Sequence, residues 1–191
     1  MMTADAWPRT IWTCLTLVPP AVSAEAQKCR RSWVTMCGTS TDFRPPLLVA
    51  AVIVHDPATS RVVLLQRSEN AKFAQGMGDL PVGKSEPGEP ITETAVRELY
   101  EETGLTVKPE PLKVAHIIHG SWGVESPNGF LTVVFATHEW TGRPENREPR
   151  KHSQVRWVDA DAVPENLVDT TSSALHRYLT GGPEVSLNGW Q

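Results

Sequence analysis

Cysteine is scarce, with three in 191 residues, and Cys14, Cys29 and Cys37 all lie in the first fifth of the chain. The rest of the sequence can therefore hold neither a disulfide framework nor a cysteine-built zinc site, and a reducing, cytoplasmic setting is expected. An excess of positive charge is also lacking: 18 basic against 22 acidic residues leave a net charge of -4. That balance gives no basic field for a nucleic acid polymer, while leaving room for a small anion escorted by cations. No run approaches the ~20 apolar residues that a membrane-spanning helix needs, so no membrane partner is expected. Ile11 to Val18 followed by Val22-Ser23-Ala24 has the outline of a signal peptide. Thr13, Cys14 and Thr16 interrupt its apolar run, Pro19-Pro20 end it, and Asp5 with a single Arg9 makes a weak positive flank, so secretion is the weaker reading.

What is present suggests one domain with extensions. Residues 1–44 show little periodicity and are expected to be a disordered extension outside the domain, with Met36 as an alternative start. The domain is expected over residues 45–180, with 181–191 as a tail. Leu47 to Val54 is an unbroken apolar run rich in Val and Ile, the pattern of a strand buried on both faces. Asp56-Pro57 to Ser60 reads as a turn into a second strand, Val62 to Gln66. Ser68 to Gly88 is a long polar loop, a length usually kept for function. Pro90 to Thr103 is expected to be helical, opened by proline, stopped by Gly104 and striped by Ile91, Ala95 and Leu99. Further strands are expected at Lys113 to Ile118, Leu131 to Thr137 and Gln154 to Val158, and a last helix at Asp169 to Leu179. Strands before, between and after two helices define an α/β fold, a sandwich about a mixed sheet.

At ~100° per residue, Glu98, Glu101 and Glu102 share an arc of roughly 100° beside the apolar stripe of the first helix. Carboxylates so close raise one another's pKa and repel, an arrangement that makes sense if cations sit between them. Oxygen ligands of this kind suit Mg²⁺, or Mn²⁺, better than zinc. Arg97 and Glu89 are placed to pair and tie the loop to the helix. For a bare pair of glutamates, a solvated helix face with ordinary charge patterning would be the better reading.

The wider segment, GKSEPGEPITETAVRELYEETGL from Gly83 to Leu105, resembles the Nudix box. That pattern is Gly, five residues, Glu, seven residues, Arg-Glu-aliphatic-any-Glu-Glu-any-Gly-aliphatic, and Gly83, Glu89, Arg97, Glu98, Leu99, Glu101, Glu102, Gly104 and Leu105 meet every fixed position. A chance match somewhere in the chain is on the order of one in ten million. The resemblance implies a Nudix-type α/β/α sandwich and hydrolysis of a nucleoside diphosphate linked to another group. It implies Glu101 and Glu102 as metal ligands, Glu98 as ligand or base, Arg97 as the orienting partner of Glu89, and the Gly83 carbonyl facing a metal. Two positions depart from the usual pattern, Gly78 where a large residue such as Trp is common and Val82 where Gly is common. Both are expected to lower stability or alter substrate fit without removing metal binding. Gly78 to Ser85 also matches the P-loop pattern G-x-x-x-x-G-K-[ST]. That motif needs a strand before it and a helix opening at Lys-Ser, which Pro87, Gly88 and Pro90 forbid.

Asn146 to His152, followed by Val155-Arg156-Trp157, resembles a segment of Nudix enzymes that act on nucleoside triphosphates, including oxidised ones. Through it Glu148 becomes a candidate extra carboxylate and Lys151 a candidate phosphate contact. His116 and His119 flank the end of an expected strand, and Trp122 and Phe130 bracket a loop containing Pro127-Asn128-Gly129 where an aromatic could stack on a base, although packing explains such residues more often. The expected activity is Mg²⁺-dependent cleavage of a nucleoside triphosphate to monophosphate and pyrophosphate. ADP-ribose or a dinucleoside polyphosphate is an alternative substrate, and a non-catalytic nucleotide-binding module is the alternative from another class. The expected partner is the small nucleotide, and a homodimer is compatible with the sequence.

Overall fold

Residues 45–123, 126–182 and 184–190 are described by the computed structural model, and the expectations for residues 1–44 lie outside them. The apolar run becomes β1 (Leu47–Asp56), at the middle of the sheet. Asp56 closes the following turn by accepting hydrogen bonds from the Ala58 amide at 3.0 Å and the Thr59 hydroxyl at 2.6 Å. The chain then returns as β2 (Arg61–Arg67). Two short strands, β3 (Gly78–Asp79) and β4 (Val82–Lys84), lie within what the sequence presents as one loop. Helix α1 (Ile91–Thr103) follows Pro90 and ends at Gly104, whose φ of 72° is the left-handed conformation that glycine tolerates best. Strands β5 (Lys113–Gly120), β6 (Phe130–Thr137) and β7 (His152–Asp159), helix α2 (Asp169–Thr180) and strand β8 (Val185–Asn188) complete the order.

β1 runs parallel to β6 from Leu47 opposite Phe130 to Val54 opposite Thr137. It pairs antiparallel with β4 at Ala50 and Gly83, and with β2 at His55 and Val62. β5 joins β6 antiparallel, while β2 carries both β3 and β7 antiparallel. The sheet is thus mixed. Alternation along β1 sorts the core: Ala50, Val52 and Val54 pack with Ala95 and Leu99 of α1, while Ala51 and Ile53 pack with Ala174 and Leu175 of α2. Burial on both faces accounts for the unbroken apolar run, and the result is an α/β/α sandwich. No described helix is long and apolar enough to cross a membrane.

Two details differ from expectation. Residues 181–191 include β8, which pairs parallel with β5 from Ile117 opposite Val185 to Gly120 opposite Asn188. With Val185 and Leu187 more than half exposed, its sequence carries little burial signal and its place is set by the free edge of β5. The second concerns Gly78. Its amide donates to Asn166 O at 2.7 Å, Val168 N donates back to its carbonyl at 2.9 Å, and a Cβ at this position would collide with the Leu167 side chain. Leu167, 3% exposed, already fills the space that a large residue at position 78 would take.

Candidate active site

The box folds as strand, turn and helix, and at Gly83 β4 lies directly beneath the Glu98 side chain of α1. A Cβ at Gly83 would fall on the carboxyl group of Glu98, so only glycine lets the glutamate lie against the strand. One turn further along α1, Glu102 reaches the same strand, its Oε2 accepting from the Val82 amide at 2.9 Å. The departure at Val82 costs nothing in this respect, because the contact is made by its backbone.

Arg97 ties the assembly together. Its Nε and Nη2 donate to the two oxygens of Glu89 at 2.8 and 3.0 Å, the paired geometry that a guanidinium matches to a carboxylate. Nη2 also donates to Lys84 O at 3.0 Å, while Nη1 reaches Glu98 at 2.8 Å and Glu101 at 3.4 Å. Glu89 further accepts from the Glu86 amide at 3.0 Å and the Thr94 hydroxyl at 2.7 Å. The ion pair read from the spacing is therefore present, and it joins the β4–α1 loop to the helix.

The electrostatics divide the glutamates. Bonding by Arg97, then by the Glu86 amide and Thr94, holds Glu89 down at about 2. Burial pushes Glu98 up against the opposing pull of Arg97. Burial pushes Glu102 well above the usual carboxylate range, and Glu98, Asp79 and Glu148 add to the rise. Side-chain exposure follows the same order, 5% for Glu102, 13% for Glu98 and 47% for Glu101. Glu101 thus stands at the outer edge, and it is not among the described residues lining the cleft.

That cleft, about 970 Å³, is lined by Gly83, Glu98 and Glu102 together with Lys151 and His152. Glu148 comes to Glu102 through a tight turn in which Lys151 N and His152 N both donate to Glu148 O at 2.9 Å. Glu102, Glu148 and His152 each place one potential ligand atom within 4.8 Å of the others, and they are a group that could hold a metal ion. The donor set fits a divalent cation. Glu148 Oε2 is buried and accepts no hydrogen bond among the described residues, a buried acceptor that a cation could satisfy.

Sequence reasoning passed over His152. Burial lowers its pKa to about 4, so it is a neutral imidazole near pH 7. It directly follows Lys151 within the segment that carried the triphosphatase resemblance, which is the one signal that could have found it. Trp122 and Phe130 do line the cleft, Trp122 being 66% exposed. The two histidines instead pack: His116 bonds Ser186 at 2.9 Å, and the His119 ring lies 4.6 Å from that of Trp190. Residues 78–85 form β3, a turn and β4 instead of a phosphate loop opening a helix, which disposes of the P-loop reading.

Comparison with known proteins identifies the family and the fold. The NUDIX domain model matches residues 45–178, and the chain belongs to the Nudix hydrolase family. The phosphatase NudJ of Escherichia coli K12 is 29% identical over 121 residues, covering 63% of this chain and 72% of the relative. A MutT NUDIX hydrolase from Burkholderia pseudomallei superposes with a TM-score of 0.60 at 22% identity, over 70% of this chain and 98% of that one. A bifunctional NMN adenylyltransferase/ADP ribose pyrophosphatase from Francisella tularensis, solved with AMP and a manganese ion, gives 0.52 at 20% identity. It covers 80% of this chain and 45% of its own.

Proposed function

We propose that this chain hydrolyses a phosphoanhydride bond of a nucleoside triphosphate, oxidised or not, to a monophosphate and pyrophosphate, with Mg²⁺ or Mn²⁺ as cofactor. The observation that carries the reading is the convergence of Glu98 and Glu102 against the glycine strand, on the wall of a cleft that also holds Lys151. Carboxylates forced together in a partly buried site repel one another, a cost accounted for when a cation lies between them. A bound divalent ion supplies neutralisation of phosphate charge and acidifies water.

The chain's own groups do the rest. Glu98 and Glu102, with the Gly83 carbonyl, form the cleft-wall part of the ligand set, and Glu101 joins it from the outer edge, where its Oε2 lies 3.4 Å from Arg97 Nη1. Glu98 is also placed to accept a proton from the attacking water, because burial has already raised its basicity. Water oxygen attacks phosphorus in line, the anhydride P–O bond breaks, and the leaving pyrophosphate takes the electron pair. Arg97, anchored on Glu89, is a positioning residue that fixes the direction of the Glu98 carboxyl. Lys151 and Glu148 are the substrate-side pair, with the Lys151 ammonium facing phosphate oxygens. The relatives' names, phosphatase and ADP ribose pyrophosphatase, support phosphoanhydride or phosphoester chemistry on this scaffold.

Phosphate and pyrophosphate release should be followed across nucleoside triphosphates, ADP-ribose and dinucleoside polyphosphates with Mg²⁺. Glu98→Gln and Glu102→Gln should each lower turnover by about 100-fold or more. Undiminished turnover in both variants refutes a catalytic or ligand role for these two glutamates. Nucleotide binding with no turnover on any substrate establishes a non-catalytic module instead.

A further inference from the structure

The glutamate helix accounts for oxygen ligands, but a nitrogen stands among them. His152 opens β7, its position held by pairing with Arg67 of β2, and it is only 3% exposed. Its Nε2 lies 3.5 Å from Glu102 Oε1, and its Nδ1 is buried with no hydrogen-bond partner among the described residues.

The two carboxylates beside it share one pattern. Glu102 has its Oε2 occupied by the Val82 amide at 2.9 Å, which leaves Oε1 on the side of His152. Glu148 has its Oε1 occupied by Lys151 Nζ at 2.8 Å, while its Oε2 is buried and accepts nothing among the described residues. Each acid is thus held through one oxygen, and Glu102, Glu148 and His152 each place one potential ligand atom within 4.8 Å of the others. Outer bonds of this kind orient ligands in metal sites, and a carboxylate pair with a buried imidazole is a mixed nitrogen and oxygen set. Mg²⁺ prefers oxygen ligands and water, whereas imidazole raises affinity for first-row transition ions.

We propose that Glu102, Glu148 and His152 form a metal site with one imidazole nitrogen, which takes a first-row transition cation in preference to Mg²⁺. The inference rests on the metal-dependent reading above and extends it from the glutamate helix to β7. Its consequence is that the chain distinguishes divalent ions through a residue outside the box.

The test uses the full chain loaded with Mn²⁺ and read by pulsed electron paramagnetic resonance. Nitrogen modulation of the manganese signal is expected in the wild type, and it should change to the ¹⁵N pattern when only histidine is ¹⁵N-labelled, a readout that needs no variant. In His152→Gln the modulation should vanish while Mn²⁺ still binds. By titration calorimetry, Mn²⁺ affinity should then fall by about 10-fold or more, with Mg²⁺ affinity changed by less than about threefold. Manganese bound without histidine nitrogen coupling overturns the nitrogen site and leaves the oxygen-ligand reading standing. Failure of the wild type to bind Mn²⁺ at all overturns both.

Discussion

Arg97 illustrates how much of this site one side chain determines. Its three guanidinium nitrogens meet Glu89, Glu98, Glu101 and the Lys84 carbonyl, and a lysine ammonium could not reproduce that fork. Arg97→Lys should therefore lower turnover by about 100-fold, as a ~1 Å displacement of a catalytic group does. Steady-state kinetics beside a circular dichroism spectrum would check this, and near-normal turnover would show that Glu98 is positioned by something else. The partner of the fork carries a pH signature. Glu89 titrates at about 2 in the fold against an ordinary 4.5, so its stabilising contribution is complete above 4.5 and is lost as pH falls towards 2. Compared with wild type, Glu89→Gln should melt lower near pH 6, and the gap should close on acidification below about 4. A gap that stays constant down to pH 2 would mean that the Arg97 pair is not its source.

At the scale of elements, β3 gives a substitution whose sign the fold reverses. Family resemblance alone invites a large residue at position 78, but Leu167 and the paired backbone of residues 166–168 occupy that space. Gly78→Trp should lower the melting temperature by several degrees, since overpacking costs roughly 1–3 kcal/mol. A thermal melt at or above wild type would show that Leu167 yields. The same strand shows where legibility ends. β1 can be read directly because burial on both faces leaves an unbroken apolar run, and α1 because its stripe and its fixed box positions agree. β3 and β4 span two and three residues, too short for any periodicity, and exist only through their partners β2 and β1. β8 is equally opaque, its apolar side chains being exposed. His152 was missed for a related reason: its burial depends on α1 and on the turn holding Glu148, neither of which a pattern search connects to it.

For the whole molecule, the unequal placement of acids links metal, pH and stability. The net charge is -4, but what matters is that Glu98 and Glu102 lie in the cleft wall, where burial raises both. A carboxyl whose folded pKa is raised opposes folding once the unfolded chain can ionise it. The penalty is absent below about 4.5, grows as pH climbs through the raised values, and is complete above them. It occupies the opposite window from Glu89, so the two effects separate on a pH axis. A divalent cation binds the deprotonated acids and stabilises the fold by mass action, while protons compete for the same oxygens. The rise in melting temperature on replacing chelator with Mg²⁺ or Mn²⁺ should therefore be larger near pH 8 than near pH 5, and Glu98→Gln with Glu102→Gln should abolish most of it. Scanning calorimetry at the two pH values decides the matter: an equal rise at both, or one that survives in the double variant, would place the ion away from these glutamates.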